Sequence, residues 1–429
     1  MPEAAHLPLA PLLTRVCADE SVKRLLALAA DESLVDIAAA AGLRAPLVAA
    51  LLQTGGDVAG PMLVVTATGR ETDDMATALR NFVDYDDVAE FPSWETLPHE
   101  RMSPRSDTVG RRLAVLRRLR HPEAGGTYGP VRVVVASVRA LMQPMAKGLG
   151  DLEPVSLAAG DECPLEDIVE ALVAAAYTRV DMVERRGEFA VRGGILDVFP
   201  PTEDHPVRLE FWGDTVEEIR WFKVADQRSL EVNPHGLWAP PCRELLLTPE
   251  VRERAAELAP SLLGVADMLT KVSEGIAVEG MESLMPALLP AGMETLIDVL
   301  PDAARVILVD PERVRTRAHD LVSTSQEFLE ASWTNAAAGN AVPVDLRGVL
   351  DGASYRSLLE LREHALATAH PWWSFSSFAA DDELHEFLED AHMPLTLIVH
   401  LIVPEDVILQ RILDRWTHMP SGRVYNLSF

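Results

Sequence analysis

Cysteine and lysine are both scarce in this chain. The three cysteines lie far apart and are odd in number, so the sequence predicts neither a disulfide framework nor a metal site built on cysteine. They are Cys17, Cys163 and Cys242. The lysines are Lys23, Lys147, Lys223 and Lys271, so arginine supplies nearly all of the positive charge. Scattered free cysteines suit a reducing cytosol, and we expect a cytoplasmic protein.

Positive charge is outnumbered by negative charge. The sequence has 38 Lys and Arg residues against 66 Asp and Glu residues, which gives a formal net charge of −28 at pH 7. Contacts with DNA phosphates require a basic footprint, so this balance argues against a general binder of duplex DNA. It leaves room for a local patch of arginines.

Long uncharged apolar runs are also missing. No such run reaches the length of a membrane span, and the first residues, MPEAAHLPLAPLLTRV, lack the basic region and apolar core of a signal peptide. We therefore expect no membrane segment. The length of 429 residues exceeds what one core usually holds, and about two to four domains are expected.

A phosphate-binding loop is not evident either. Such a loop needs glycines that open backbone N–H groups and a Gly-Lys-Ser/Thr end, which the chain does not contain. In the nearest candidate, AAAAGLRAPLVAALL, Gly42 is followed by Arg44 and by Pro46, which has no N–H to donate. The histidines show no spacing for a shared ligand, and no Ser or Cys has a recognisable nucleophile setting. We predict no catalytic residue, no cofactor and no metal.

Three strand–loop–helix units predict an α/β domain. Strands are expected at 62–67, 131–136 and 306–309, with helices beginning near residues 71, 138 and 311, and residues 20–52 are interpreted as helices with short breaks. The strands are runs of Val and Ile without polar alternation. Such runs are typical of a parallel sheet that is covered on both faces.

The pattern changes between the second and third units. The short strands GGILDVFP, VRLEFWGD and VEEIRWFKV are separated by breaks too short for a crossover helix, which predicts antiparallel hairpins. We expect a first part of the α/β domain at 1–148, an inserted α+β domain at 149–235 and a second part at 236–370. We interpret 371–429 as a linker, beginning with the exposed HPWWSFSSF, and a small C-terminal segment.

Helical spacing in TVGRRLAVLRRLRH predicts an amphipathic helix. Val109, Leu113, Leu116 and Leu119 form its expected buried stripe. Its arginines are then interpreted as a solvated helix face, with weak contact to nucleic acid as the alternative.

Three ordered segments carry a family resemblance. They are EFPSWETLPHERMSPRSDTVGRRLAVLRRL, VVVASVRALMQP and YTRVDMVERRGEFAVRGGILDVFPPTEDHPVRLEFWGDTVEEIRWF. Together they resemble the amino-terminal module of bacterial transcription-repair coupling factor, and the third also resembles the second domain of the excision-repair protein UvrB. The resemblance implies a degenerate helicase-like parallel-sheet domain of the P-loop type with an inserted α+β domain that binds UvrA. RNA polymerase and DNA are then expected as partners only through regions beyond this chain.

The resemblance also implies site residues. Arginines that contact UvrA carry over by position to Arg179 and Arg192, and less closely to Arg186, whereas Ala190 stands where UvrB has a further arginine. Arginine suits this role because its planar fork pairs bidentately with carboxylates.

An apolar centre and an open backbone complete the expected surface. We expect Phe189 and Leu196 to supply the apolar centre. Glycines around them leave the backbone open to a partner; these are Gly187, Gly193 and Gly194. The competing interpretation is a solvated edge on which the arginines only pair with nearby carboxylates, where such pairs contribute little. Those carboxylates are Glu184, Glu188 and Asp197.

The expected function is recruitment without catalysis in transcription-coupled nucleotide excision repair. One alternative is a DNA-dependent ATPase like UvrB. Another is an autoinhibitory surface that packs against an absent translocase motor. The tail PLTLIVHLIVPEDVILQRILDRWTHMPSGRVYNLSF resembles part of the adenylate kinase family, which would place Arg415 and Arg423 near phosphates, but kinase activity is not expected without the phosphate loop.

Overall fold

The computed structural model describes most of the chain before the tail. The described residues are 9–29, 32–54, 60–97, 100, 102–124, 129–302, 304–337, 355–377, 398–400, 415–418 and 423–426. The helices are α1 (Ala10–Ala18), α2 (Glu20–Leu28), α3 (Arg44–Thr54), α4 (Gly69–Leu79), α5 (Ser106–Arg120), α6 (Val138–Met142), α7 (Leu165–Ala174), α8 (Pro249–Leu258), α9 (Ala266–Ser273), α10 (Met285–Leu288), α11 (Leu296–Val299), α12 (Pro311–Ala337) and α13 (Leu358–Ala367).

The strands form one large sheet, one smaller sheet and three two-stranded pairs. They are β1 (Leu34–Ala38), β2 (Met62–Thr66), β3 (Val88–Phe91), β4 (Val133–Ser137), β5 (Met145–Ala146), β6 (Val155–Leu157), β7 (Thr178–Arg179), β8 (Glu188–Arg192), β9 (Ile195–Val198), β10 (Val207–Trp212), β11 (Thr215–Phe222), β12 (Ser229–Val232), β13 (Leu237–Ala239), β14 (Met293–Glu294), β15 (Arg305–Val309), β16 (Trp372–Ser376), β17 (Ile398–His400), β18 (Arg415–His418) and β19 (Arg423–Asn426).

The large sheet is parallel throughout and has the order β17-β1-β16-β15-β2-β4-β3. Successive side chains point to opposite faces: Val65 and Leu308 belong to one apolar core, and Val64 and Ile307 belong to the other. Both faces of the sheet are therefore covered, as the unalternated runs of Val and Ile predicted.

Local signals explain where two of the predicted helices begin. The Thr68 hydroxyl accepts a hydrogen bond from the Glu71 N–H, and the Ser137 hydroxyl accepts one from the Ala140 N–H, both at 3.3 Å. Each is an N-cap, which supplies an acceptor to an N–H group that the first turn leaves without one. The predicted strand–loop–helix units and the α/β class are confirmed.

Two strands contradict the sequence interpretation. β1 lies within residues 20–52, which were interpreted as helical, and it is the second strand of the sheet. The segment HPWWSFSSF was interpreted as an exposed linker, but it contains β16, a central strand in which Trp373 and Phe375 are fully buried. Both strands are short and carry a polar residue on one face, Asp36 in β1 and Ser374 in β16, which weakens the apolar signal of a buried strand.

The smaller sheet has the order β12-β11-β10-β9-β8-β7. Its pairings are antiparallel except between β7 and β8, which confirms the predicted hairpins. Helix α7 packs on one face, and an apolar core that includes Leu172, Leu209 and Ile219 fills the space between them. The domain boundaries given above remain predictions.

Helix α5 packs against the inserted domain. A Cβ atom added to Gly110 would lie 2.5 Å from Cβ of Pro201, so the backbone of α5 at Gly110 packs directly against the Pro201 side chain. The Ser106 hydroxyl donates to the Arg186 carbonyl at 3.1 Å. The predicted apolar stripe of α5 is buried, but the interpretation of its arginines as a solvated face is wrong for Arg112, whose side chain is fully buried against Glu244.

The described helices include none with both the length and the apolar character of a membrane span. In the tail, β17 pairs in parallel with β1, and β18 pairs with β19. The other tail residues, including residues 401–403 of the apolar segment 398–403, lie outside the described residues. The resemblance of the tail to adenylate kinase remains a prediction.

Candidate partner-binding surface

The candidate surface is built around the hairpin of β8 and β9. Gly193 in its turn has φ of +60°, and no atom lies within 4 Å of the position of an added Cβ. An added Cβ on Gly194 would lie 2.9 Å from the Phe211 carbonyl oxygen, and the Phe211 N–H donates to the Gly194 carbonyl at 2.8 Å. Glycine is therefore required at both positions, by backbone conformation at Gly193 and by close approach of β10 at Gly194.

Arg179 and Arg192 are both exposed. The Arg192 guanidinium donates from Nε and Nη2 to the Asp181 carbonyl at 3.2 and 2.8 Å, which fixes its position. Within the described part of the chain, neither arginine forms an ion pair with a carboxylate. Both guanidinium groups thus retain donors for a carboxylate of another molecule.

Register places these two arginines on different sides of the sheet. Arg179 pairs in parallel with Phe189, whose side chain points into the core, whereas Arg192 is three residues further along β8 and points away from it. Because β7 is an edge strand of two residues that pairs only with Glu188 and Phe189, Arg192 lies beyond the part of β8 that β7 covers.

Arg186, the looser candidate, is held by its own domain. Its Nε donates to the Glu203 carbonyl at 3.0 Å, Nη2 lies 3.5 Å from an Asp204 carboxylate oxygen, and the guanidinium carbon lies 5.1 Å from the centre of the Phe199 ring. This side chain would have to exchange existing contacts before it could bind a partner.

Phe189 and Leu196 do not provide the expected apolar centre. Both are fully buried and pack in the same core as Val198 and Leu209. The alternation of side chains along a strand explains the correction, because Phe189 and Val191 point into this core while Ala190 and Arg192 point to the other face. On that face Ala190 is buried in a separate small core and Arg192 is exposed.

Two exposed apolar side chains near the turn were missed. Met182 follows Asp181, whose carbonyl holds Arg192, and 46% of Met182 is exposed. Trp212 ends β10 beside the glycine turn, and 77% of it is exposed. The available signal was the position of Trp212 directly before the Gly213-Asp214 turn, where a large apolar side chain has little to pack against.

The carboxylates of the competing interpretation mostly have other partners. Both Asp197 oxygens accept from Arg208, at 2.7 and 2.8 Å. The Glu188 carboxylate accepts from the backbone N–H groups of Glu184 and Arg185 at 2.9 Å. Asp197 also lies opposite Ala190, so the position where UvrB has an arginine is here buried beside an ion pair that is already complete.

A second polar cluster lies at the carboxyl ends of the parallel strands, where open α/β sheets bind ligands. The Arg44 guanidinium donates to both Asp310 carboxylate oxygens at 2.7 and 2.6 Å, and to the Ser377 hydroxyl at 2.6 Å. Arg44 is buried, and Asp310 and Ser377 directly follow β15 and β16. The hydrogen bonds thus join the first residue of α3, which follows Gly42, to the ends of β15 and β16.

The Cys242 thiol is buried in the core of the inserted sheet. Burial raises the pKa of the Cys242 thiol to about 12, which keeps it protonated and unreactive. Among the described residues, no group of His, Cys, Asp and Glu side chains is placed to hold a metal ion.

Comparison with known proteins places this surface in a defined family domain. A family model described as the UvrB interaction domain matches residues 155–236. The transcription-repair-coupling factor of Mycobacterium bovis is 55% identical over 337 residues, which covers 76% of this chain and 27% of the relative. That of Myxococcus xanthus is 33% identical over 307 residues, covering 67% of the chain and 25% of the relative, and that of Escherichia coli is 31% identical over 182 residues, covering 40% and 14%.

These matches define both what the chain contains and how much of its relatives it represents. The chain spans about a quarter of the length of the first curated relatives that it matches. It carries a UvrB interaction domain, and over three quarters of its length it resembles the transcription-repair-coupling factors, which confirms the resemblance indicated by the three sequence segments.

Proposed function

We propose that this chain is a non-catalytic recruitment module of transcription-coupled nucleotide excision repair, and that its inserted domain binds UvrA. The observation that carries the proposal is the position of Arg179 and Arg192. Both lie within the matched UvrB interaction domain, both are exposed, and neither is paired with a carboxylate of the described chain. RNA polymerase and DNA would be contacted through other regions of a longer protein.

Charge supports binding to a protein partner. In a chain of net charge −28, a pair of unneutralised guanidinium groups is a local exception that selects a partner carrying carboxylates. The ordered Arg192 fork loses little conformational freedom when it binds, because the Asp181 carbonyl already holds it.

The polar cluster beside the end of β15 supports the proposal that this chain is not catalytic. There the Arg44–Asp310 pair and the Ser377 hydroxyl satisfy one another, and the chain has no Gly-Lys-Ser/Thr sequence to cradle phosphates. The alternative, an ATPase like UvrB, requires ATP and Mg²⁺ to raise the melting temperature, because a ligand that binds only the native state stabilises it. We expect no shift.

Titration of UvrA tests the binding proposal. Arg179→Ala and Arg192→Ala are each expected to weaken binding at least about tenfold. Truncating a hot-spot residue costs about 2 kcal/mol or more of binding free energy, and about 1.4 kcal/mol corresponds to a tenfold change in Kd. Arg228→Ala is the matched control, because Arg228 is a highly exposed arginine on the same domain with only a loose partner, Asp226 at 3.8 Å. Equal binding by all four proteins, with equal melting temperatures, would remove the arginines from the interface.

The autoinhibitory alternative uses the same surface against another domain of a longer protein. Amide hydrogen exchange of β8 and β9, measured with and without the downstream domains, distinguishes the two. Recruitment alone predicts the same exchange in both, whereas masking predicts slower exchange in the longer protein.

A further inference from the structure

Trp212 is the most exposed large apolar side chain among the residues that the structure describes. It ends β10 immediately before Gly213, whose φ is +61°, so the chain turns away directly after the indole. A tryptophan at the end of a strand before such a turn exposes apolar area to water and does not stabilise the fold. Tryptophan is also strongly enriched in binding hot spots.

Register shows that Trp212 shares a face with Arg192. Ile195 pairs with Arg192 on one side and with Glu210 on the other, so all three side chains point to the same face of the sheet. Trp212 is two residues beyond Glu210 in the same strand. The pairing with β11 shifts between Glu210 and Phe211, but Leu209 and Phe211 both pack against the core, so Trp212 points to the face of Glu210. Phe189 and Leu196 point to the opposite face, which is the core.

The glycine turn lies between the indole and the guanidinium. The Phe211 N–H bonds the Gly194 carbonyl at 2.8 Å, which places Trp212 beside Gly193 and Gly194. Arg192 enters the turn from the other strand. With no side chains on the two glycines, a partner can contact the backbone between the two larger groups.

Charges on this face restrict the partner. The Arg192 guanidinium is complementary to a carboxylate of the partner on its side of the turn. The exposed Glu210 carboxylate is complementary to a hydrogen-bond donor of the partner on the other side. A flat anionic surface such as a nucleic-acid backbone meets only the first condition, because it would also place phosphates near the Glu210 carboxylate. A protein surface with an apolar recess and a mixed polar rim meets both.

We propose that Trp212 is the apolar anchor of the UvrA-binding surface, and that its indole enters an apolar recess on UvrA whose rim supplies a carboxylate to Arg192. This inference rests on the proposed function. In it, Trp212 has the role of apolar centre that the sequence analysis expected of Phe189 and Leu196. Met182, half exposed beside Asp181, extends the apolar contact on the Arg192 side.

The experiment compares UvrA binding by the full chain and three variants in one titration series. Trp212→Ala is expected to weaken binding at least about tenfold, and Trp212→Phe to restore part of the loss, since an aromatic ring still fills the recess. The control is Tyr85→Ala, which removes an aromatic ring of 67% exposure from the other domain. All three variants are expected to keep the wild-type melting temperature.

The outcomes separate this inference from the proposed function. If wild type binds and Arg179→Ala and Arg192→Ala weaken binding while Trp212→Ala does not, the function stands and the anchor is refuted. If wild type itself does not bind UvrA, both are refuted. Weakening by Trp212→Ala but not by Tyr85→Ala supports the anchor.

Discussion

Arg112 and Glu244 form an ion pair in which both side chains are fully buried, with 2.6 Å between Nε and Oε1. Arg112 lies on α5, before the inserted domain, and Glu244 lies just after it. Trp94 donates its indole N–H to the same carboxylate at 2.9 Å, and the guanidinium carbon lies 4.4 Å from the centre of the Phe91 ring. The pair therefore ties the segment that follows the inserted domain to helix α5 of the parallel-sheet domain.

Removing one partner of this pair is expected to be costly. Arg112→Met leaves the Glu244 carboxylate buried without its cation, and breaking such a pair costs about 3–5 kcal/mol. The free energy of unfolding, measured by urea denaturation at pH 7, should fall by this amount. Arg111→Met is the control, because Arg111 is an exposed neighbour on the same helix.

The double variant Arg112→Met/Glu244→Leu checks the cause. Replacing both charges by apolar groups removes the desolvation penalty, so much of the lost stability should return. A double variant as unstable as Arg112→Met alone would show that packing, and not the uncompensated charge, dominates.

Gly110 sets the distance between α5 and the inserted domain. Gly110→Ala adds a methyl group that would lie 2.5 Å from Pro201, and the overpacking should cost about 1–3 kcal/mol although alanine favours the helix. Gly69→Ala is the matched change in helix α4, where the same methyl group meets no atom within 4 Å. We expect a lower melting temperature only for Gly110→Ala, and equal melting of both variants would contradict the close contact.

Sequence patterns predicted the elements whose apolar signal is uniform. The valine-rich β2 and β4 were found because every residue in them is buried. β1 was missed because Asp36 interrupts its apolar face, and β16 because two tryptophans suit an exposed linker as well as a core. Only the pairing of β1 with β16 and of β16 with β15 distinguishes the alternatives, and the first of these pairings joins residues more than 300 positions apart in the chain.

The candidate site was only partly predictable for a similar reason. Resemblance gave Arg179 and Arg192, and alternation along β8 would have assigned Phe189 to the core had the strand's inner face been known. That face is fixed by α7 and β10, which the sequence of the hairpin does not contain. The burial of Arg112 was equally hidden, since its partner Glu244 lies 132 residues away.

Asp36 gives the stability a pH dependence. Burial raises the pKa of this carboxyl to about 6, against the opposing fields of Arg315 and Arg362. Glu312 acts in the same direction as burial. Because the native pKa exceeds the ordinary value of 3.8, the native state binds a proton more tightly than the unfolded state, and stability falls as pH rises from about 4 to 6.

Asp36→Asn should remove that loss. Asparagine cannot ionise, so at pH 7 the variant should exceed wild type by on the order of 2 kcal/mol in free energy of unfolding, while at pH 4 the two should be nearly equal. Urea denaturation at both pH values measures the difference. A stability difference that does not change with pH would mean that Asp36 is ordinarily acidic in the native state.

Arg44 contributes to stability through the geometry of its fork. Arg44→Lys keeps the charge but cannot bond both Asp310 oxygens and the Ser377 hydroxyl at once, so it should lose on the order of 1–2 kcal/mol of unfolding free energy. The control is Arg313→Lys, because the Arg313–Glu71 pair is largely exposed on the arginine side and exposed pairs contribute little. If Arg44→Lys is as stable as Arg313→Lys, the cluster is held by charge alone. A loss confined to Arg44→Lys would instead show that the bidentate fork stabilises the cluster at the ends of β15 and β16.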